Sequence, residues 1–420
     1  MKKYFNLEKI LSIYKVILFY TSFLIIFLLF PFIFLVIKII KFFFIIRITE
    51  LLTNRYGHLV LNPEIYLLEK KKEEEKSKKY LDFFYESRHG ICNKELLNLW
   101  KRKILIFPRN ILEPINILLK KIYSTNNIHT VSGFNDKVRD INCYFDNQEP
   151  SFILSQKQEK YCFDILLKNG IDIKKIRYVC LFNRDDAYLN SFKKKKDWYY
   201  LSHHNYKINK FTLAANSLTE RDVYVFRMGA KVEGKFGQGN SKIIDYANSN
   251  FRCELMDIFL ATKCLFAISC GTGSSHIAIM YRKPILDLNA NLHHLMTFMK
   301  DSLLLAKHYY SKDKKRNLTL NEILQYEETS IRHRHNLDKY KIDIIDCTEI
   351  EIKDATIELL DRIDGIYKET EDVRNLQNKY KLKNWKNITK FINEKKYYFH
   401  KKIRANYSSN FLLNNKDWLN

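Results

Sequence analysis

The strongest pattern along the chain is an uncharged apolar run of 22 residues from Val16 to Ile37. As a helix rising about 1.5 Å per residue it spans roughly 33 Å, enough for a bilayer core of about 30 Å. It is too long for the apolar core of a secretory signal, and no small-x-small cleavage site follows it. It predicts a membrane anchor over 16–47 behind a basic tail, 1–15. Lys2, Lys3, Lys9 and Lys15 precede the run while Lys38, Lys41, Arg47 and Arg55 follow it, so the positive-inside rule favours neither direction. Pro31 can bend the run. One plain crossing and a shallow re-entrant anchor with both ends cytoplasmic stay open.

Beyond the anchor, strand-like and helix-like periodicities alternate. The pattern predicts strands at Phe42–Ile48, Tyr80–Tyr85 and Ile104–Phe107, and helices from Asn62 to about Lys71, Lys94–Lys103 and Leu112–Ile122. That is βαβαβ, the signature of a parallel sheet covered by helices. A loop-rich interval, 123–150, and a helix from Ser155 to Lys168 lead to Asn169-Gly170. A second alternation then runs through strands Ile176–Phe182, Val223–Arg227, Ile243–Tyr246, Leu265–Ser269 and Pro284–Leu288. Helices Tyr206–Thr219, Glu254–Ala261 and Ser274–Tyr281 separate them, and Ile350–Tyr367 is amphipathic. The fold class is therefore α/β: a first Rossmann-like domain at 48–170, a second at 171–345 and a helical extension at 346–420.

Composition narrows the partners. In 420 residues, 71 Lys and Arg against 47 Asp and Glu give a formal charge of +24. Such a surplus suits nucleic acid, acidic headgroups or phosphorylated small molecules, although Lys is abundant throughout. The eight cysteines form no C-x-x-C pair, so they read as buried free thiols of a reducing compartment.

Candidate chemistry gathers at strand ends, where open parallel sheets bind ligands. Gly271, Thr272, Gly273, Ser274 and Ser275 lie between a buried strand and a helix. Glycines admit an anion to the backbone, and a helix start offers N–H groups. The loop lacks the P-loop lysine and the full dinucleotide fingerprint, so a phosphate site and a plain tight turn are balanced readings. Arg184 follows the strand Val179–Phe182, while Arg227 and Gly229 follow Val223–Phe226. Arginine grips phosphate in a bidentate fork, but either one alone reads first as a salt bridge. Glu254 and Asp257 share a helix face and can accept from ribose hydroxyls or a base, or simply face solvent. His58, ending the loop Arg55-Tyr56-Gly57-His58, is a candidate general base or a structural histidine. Lys193–Lys196, His203-His204 and Arg332-His333-Arg334-His335 read as solvated faces and lack the partners of a metal site. No D-x-D triplet ends a strand.

These same stretches, Arg55–His58 with Asn62-Pro63-Glu64, Val179–Leu189, Arg227–Gly229, Ile244–Ser249 and Glu254–Leu288, resemble a family of bacterial glycosyltransferases. The strand–Arg loop and the D-I-F-L…G-T-G-S-S block are similar to the donor half of the fucosyltransferase superfamily, metal-independent enzymes of the two-Rossmann GT-B fold. The resemblance implies that Arg184 and Gly271–Ser275 hold a donor diphosphate and that Asp257 faces the nucleoside. Phe182 stands where that superfamily often has His, and Cys253 where Ser is common.

The expectation is a membrane-anchored, inverting glycosyltransferase using a nucleotide sugar and a lipid-linked or glycan acceptor. Its catalytic part would be cytoplasmic, with no metal or other cofactor and no nucleic-acid partner. Another nucleotide-ligand Rossmann enzyme, or a non-catalytic basic protein on membrane or nucleic acid, are the alternatives.

Overall fold

The computed structural model describes residues 2–73, 79–123, 128–136, 139–192, 198–292, 298–326, 333–394 and 403–420. The architecture is mixed α/β with parallel sheets, and the chain divides into two compact units, 1–138 and 139–420.

The first unit opens with a single helix, α1 (Lys2–Ile40), longer than the apolar run that announces it. Its Val16–Ile40 stretch is long and apolar enough to cross a membrane, a statement of length and composition only. Phe44 N–H closes the helix end on the Ile40 carbonyl (2.8 Å), so β1 (Ile45–Leu51) starts later than the apolar pattern suggests. Strands β1, β2 (Tyr80–Glu86) and β3 (Leu105–Phe107) form a parallel sheet with β2 in the middle. In register across it, Arg47 Nε sits 2.5 Å from Asp82 Oδ1, and Tyr66 donates to the same buried carboxylate.

Helix α2 runs Tyr56–Glu73 rather than beginning at Asn62, with Pro63 in its interior. Proline has no N–H to give to the carbonyl four residues earlier, here that of Leu59. The fully buried Trp100, on α3 (Lys94–Lys101), fills the gap: its Nε1–H donates to Leu59 O at 2.7 Å. Helix α4 (Arg109–Ile122) packs on β1 and β2, and α1 packs along α4.

The second unit holds a seven-stranded all-parallel sheet and a small antiparallel one. The large sheet comprises β4 (Arg177–Phe182), β5 (Val223–Arg227), β6 (Ile243–Ile244), β7 (Ala267–Ser269), β8 (Ile285–Asp287) and β9 (Leu303–Leu304). The small sheet comprises β10 (His308–Ser311), β11 (Arg316–Asn317) and β12 (Ile342–Ile345). A last strand, β13 (Asn406–Tyr407), joins the large sheet beside β9.

The spatial order is β13-β9-β8-β7-β4-β5-β6. Leaving β13 aside, the chain winds outward from β4 through β5 to β6, then returns to β7 on the other side of β4. This is the doubly wound order of dinucleotide-binding sheets, and its reversal lies between β4 and β7. Helix α5 (Gln156–Lys168), capped by Ser155 and Gln158, packs within this unit against the helix Glu254–Lys263. The C-terminal segment closes the sheet edge, with Gln377 bonding both the N–H (3.0 Å) and C=O (2.6 Å) of Tyr407. All eight cysteines are free; Cys92, Cys143 and Cys253 are only partly buried, which corrects the expectation for those three.

The proline gap in α2 makes Trp100→Phe costly by about 1–3 kcal/mol, because Leu59 O is then buried without a donor. Adding Pro63→Ala restores a backbone N–H there, so the double variant should recover part of that loss in chemical denaturation. A double variant no more stable than Trp100→Phe alone would refute the pairing.

Candidate functional site

The crevice between the carboxyl ends of β4 and β7 is where the winding reverses, and it gathers several of the expected residues. Arg184 leaves β4; Gly271–Ser275 leave β7. Gly271 has φ +69°, and a Cβ there would stand 2.8 Å from Asn289 Nδ2 at the exit of β8. Glycine is required for that close approach. Thr272, Gly273 and Ser274 remain half-exposed. Ser275 is buried, and its hydroxyl is spent inside the turn on Thr272 O (2.7 Å) and Ser269 Oγ (2.8 Å). The helix that follows is a five-residue stub, His276–Met280, shorter than the expected Ser274–Tyr281.

Arg184 lies with its Nε buried and without a partner. Burial lowers its pKa, opposed by Asp186, Cys270 and Tyr200, yet a guanidinium stays charged. Its carbonyl accepts from Tyr206 N–H (2.9 Å), which folds residues 198–206 back over the strand end. That fold-back brings in His203 and His204, only 5% and 8% exposed, with ring centroids 4.1 Å apart. The solvated face expected there is a buried pair; Lys193–Lys196 and Arg332 lie outside the described residues. Neither ring nitrogen of His203 has a partner. Its pKa falls to about 3, first through burial and then through the positive charges of Lys307, Arg334, Arg184 and His333. Lys307, 3% exposed, reaches Asn205 O and Asp346 Oδ1 at 2.6 Å each and lies 3.8 Å from the Tyr206 ring. The sequence signal for this group is thin: a His-His pair between two aromatic stretches, and a lysine after a strand too short to see.

Arg227 also has a buried Nε without a partner, but its terminal nitrogens are spent. It is fully buried, donating to Gly234 O (2.9 Å) and Glu233 O (2.6 Å) and pairing with Asp245 (3.5 Å) and Asp185 (3.8 Å). Its fork ties down the 229–236 loop instead of facing an open crevice. Gly229 accepts from Arg252 Nε (2.9 Å), and Arg252 Nη2 bonds Asp257 Oδ2 (2.7 Å). Asp257 Oδ1 accepts from Tyr246 Oη (2.8 Å), so both oxygens already hold donors. Burial raises this carboxyl to about 6, against the lowering pull of Arg252 and Tyr246. Glu254 opens the same helix and is half-buried. In the first unit, His58 lies in the first turn of α2, not at a loop end, with Nδ1 3.4 Å from Asn62 Nδ2.

Among the described residues, no group of three or more His, Cys, Asp or Glu side chains is arranged to hold a metal ion. A cavity of 1010 Å³ opens at the opposite, amino end of the sheet and contains none of the predicted site residues. Its cations are largely spent: Lys263 on Glu159 (2.6 Å), Arg404 on Asp146 (2.5 Å) and Arg282 on Gln148 O (2.8 Å).

No protein-family model matches the chain, and no curated protein matches it. Among solved structures it is similar to the glycosyl transferase family 9 protein of Veillonella parvula DSM 2008, with TM-score 0.41 and 9% identity over 74% of this chain and 96% of that one. It is also similar to E. coli ADP-heptose LPS heptosyltransferase II, with TM-score 0.35 and 10% identity over 70% and 98%. A third is the iron-containing dodecameric glycosyltransferase TibC of enterotoxigenic E. coli H10407, with TM-score 0.35 and 11% identity over 76% of each chain. None of the three is a fucosyltransferase. Likeness this distant leaves the chemistry of this chain to its own side chains.

His203 carries a pH signature. The unfolded chain protonates it below about 6.5, whereas the folded chain resists until about 3. Stability therefore falls as pH drops through that window. His203→Gln should reduce the slope of unfolding free energy between about pH 4 and 6 by roughly 1.4 kcal/mol per pH unit. An unchanged slope would show that the histidine is not held neutral.

Proposed function

We propose that the chain is a membrane-associated glycosyltransferase of two Rossmann-like halves, moving a sugar from a nucleotide-sugar donor to a lipid-linked or surface-polysaccharide acceptor. The observation that supports it best is Arg184 at the reversal point of a doubly wound sheet, with its Nε buried and without a partner. A buried donor left unmade costs about 1–3 kcal/mol or more when charged, and an incoming anion removes that cost.

In this reading the second unit binds the donor. Arg184 contacts the diphosphate, and the backbone of Gly271–Ser274 approaches it where side chains would obstruct. His203, which feels the charge of Arg184, adds an N–H to the leaving phosphate. Positive charge on Arg184 and Lys307 offsets the negative charge that develops as the sugar–phosphate bond breaks, the task a metal performs in other transferases. An acceptor hydroxyl attacks the anomeric carbon from the face opposite the leaving diphosphate, so configuration inverts. The first unit binds the acceptor, and His58 or a neighbouring carboxylate takes the hydroxyl proton. Nucleotide sugars are cytosolic, which puts the catalytic part on the cytoplasmic face, and α1 keeps the enzyme beside a membrane-borne acceptor.

The test is thermal stabilisation of the full chain in detergent by GDP, UDP, CMP and ADP. A nucleotide at about a hundred times its dissociation constant adds roughly 2.7 kcal/mol. One diphosphate should stand out, and Arg184→Ala should weaken it by about 10–100-fold, the value of a charged hydrogen bond. Equal shifts from all four that salt abolishes would favour a non-catalytic basic surface protein instead.

A further inference from the structure

The packing of α1 constrains how it can meet a membrane. The part of the helix from Phe19 to Ile37 lies alongside α4. The Arg109 guanidinium sits 5.0 Å over the Phe19 ring, and Asn110 Nδ2 is 3.4 Å from Ser22 Oγ. At the far end Phe34 meets Tyr123 with ring centroids 6.2 Å apart, and Ile37 is buried in a cluster with Leu112, Leu119, Ile48 and Tyr85. The stretch of α1 that would occupy hydrocarbon is therefore level with α4 and, beneath α4, with the sheet.

A crossing that keeps this packing carries Arg109, Glu113 and the exposed Lys120 and Lys121 to membrane depth, together with the open edge of β3. Each central charge costs about 2.5–3.5 kcal/mol on the insertion scale, and open sheet edges do not occur in lipid. A crossing that gives up the packing strips the apolar cover from Leu112 and Leu119. Neither cost arises if the helix lies flat. The faces of α1 turned away from α4 are strongly apolar: Leu28 is 66% and Phe32 70% exposed, and the turn after the helix adds Phe42 at 88%. Basic residues flank both ends equally, with Lys9 and Lys15 before the run and Lys38 and Lys41 after it, matching anionic headgroups on one surface.

We infer that α1 lies in the plane of one leaflet as a monotopic support for the first unit, its free faces in lipid and both its ends on the same side of the bilayer. This rests on the proposed reading of α1 as a membrane helix. It is independent of the sugar chemistry.

The full chain, tagged at both termini, would be probed with protease in sealed inverted vesicles, alongside a Ser22→Cys/Asn110→Cys variant subjected to mild oxidation. Both tags should be cleaved from the same face, and the cysteine pair should cross-link in the membrane. A protected N-terminal tag with an accessible C-terminal one would overturn the inference, as would a pair that fails to cross-link. Release of the protein by alkaline carbonate would overturn the membrane assignment itself, a failure distinct from one of orientation.

Discussion

The loops at the carboxyl end of the large sheet depend on one buried cation. Arg227 ends β5 with no exposure, and an unpaired charge there would cost several kcal/mol. Its neutralisation recruits Asp185 from the β4 exit and Asp245 from the β6 exit, while its two terminal nitrogens also fix the carbonyls of Glu233 and Gly234. The two aspartates are engaged again, Asp185 by Glu233 N–H (3.0 Å) and Asp245 by Phe236 N–H (3.0 Å). Three strand exits are thereby locked to one guanidinium. Asp185 is the neighbour of Arg184, so the same lock sets where Arg184 begins.

The two arginines at adjacent strand ends thus divide the work. Arg227 gives its two terminal nitrogens to backbone carbonyls and has its charge matched by two carboxylates, although its Nε, like that of Arg184, is buried without a partner. Arg184 is half-buried beside a neutral histidine and two further cations, with its Nε buried and unmatched. Buried polar groups without partners are uncommon in native proteins, and those that persist call for an explanation. A site awaiting an anion at the sheet's reversal point supplies one for Arg184, whereas the unmatched Nε of Arg227 sits inside a lock already held by Asp185 and Asp245.

Much of the architecture was legible because parallel strands buried on both faces are continuous apolar runs; Val179–Phe182 and Val223–Phe226 stand out for that reason. Two-residue strands such as β9 and β13 have no such signature, and they exist only because neighbours offer edges. Pro63 misled in an instructive way. A proline marks the first turn of a helix when its missing N–H matters nowhere else, but Trp100, distant in sequence, answers Leu59 O and lets α2 start at Tyr56. In the site, Arg184 and Arg227 look alike in sequence, since each follows an apolar strand; only the partners assembled around them tell them apart. His203-His204 looked solvated because the segment that carries it packs against the helix Arg334–Lys339, distant in sequence, which no local pattern predicts. Glu254, Asp257 and His58 were selected by residue type, and what they touch is set by tertiary neighbours.

On the proposed reading, the field that keeps His203 neutral also ties proton uptake to ligand binding. Burial is the larger cause of its low pKa, and the nearby cations add to it. A diphosphate arriving at Arg184 brings negative charge into that field and reverses the second cause while leaving the first. The histidine then moves back toward ordinary basicity, so binding and protonation favour each other by linkage. A leaving diphosphate gains charge as the sugar departs, and it gains it beside a group whose proton affinity rises in response. An arginine cannot answer in this way, because it is charged throughout. Arg184 and His203 therefore contribute differently: a fixed charge that holds the anion, and a titratable one that follows it.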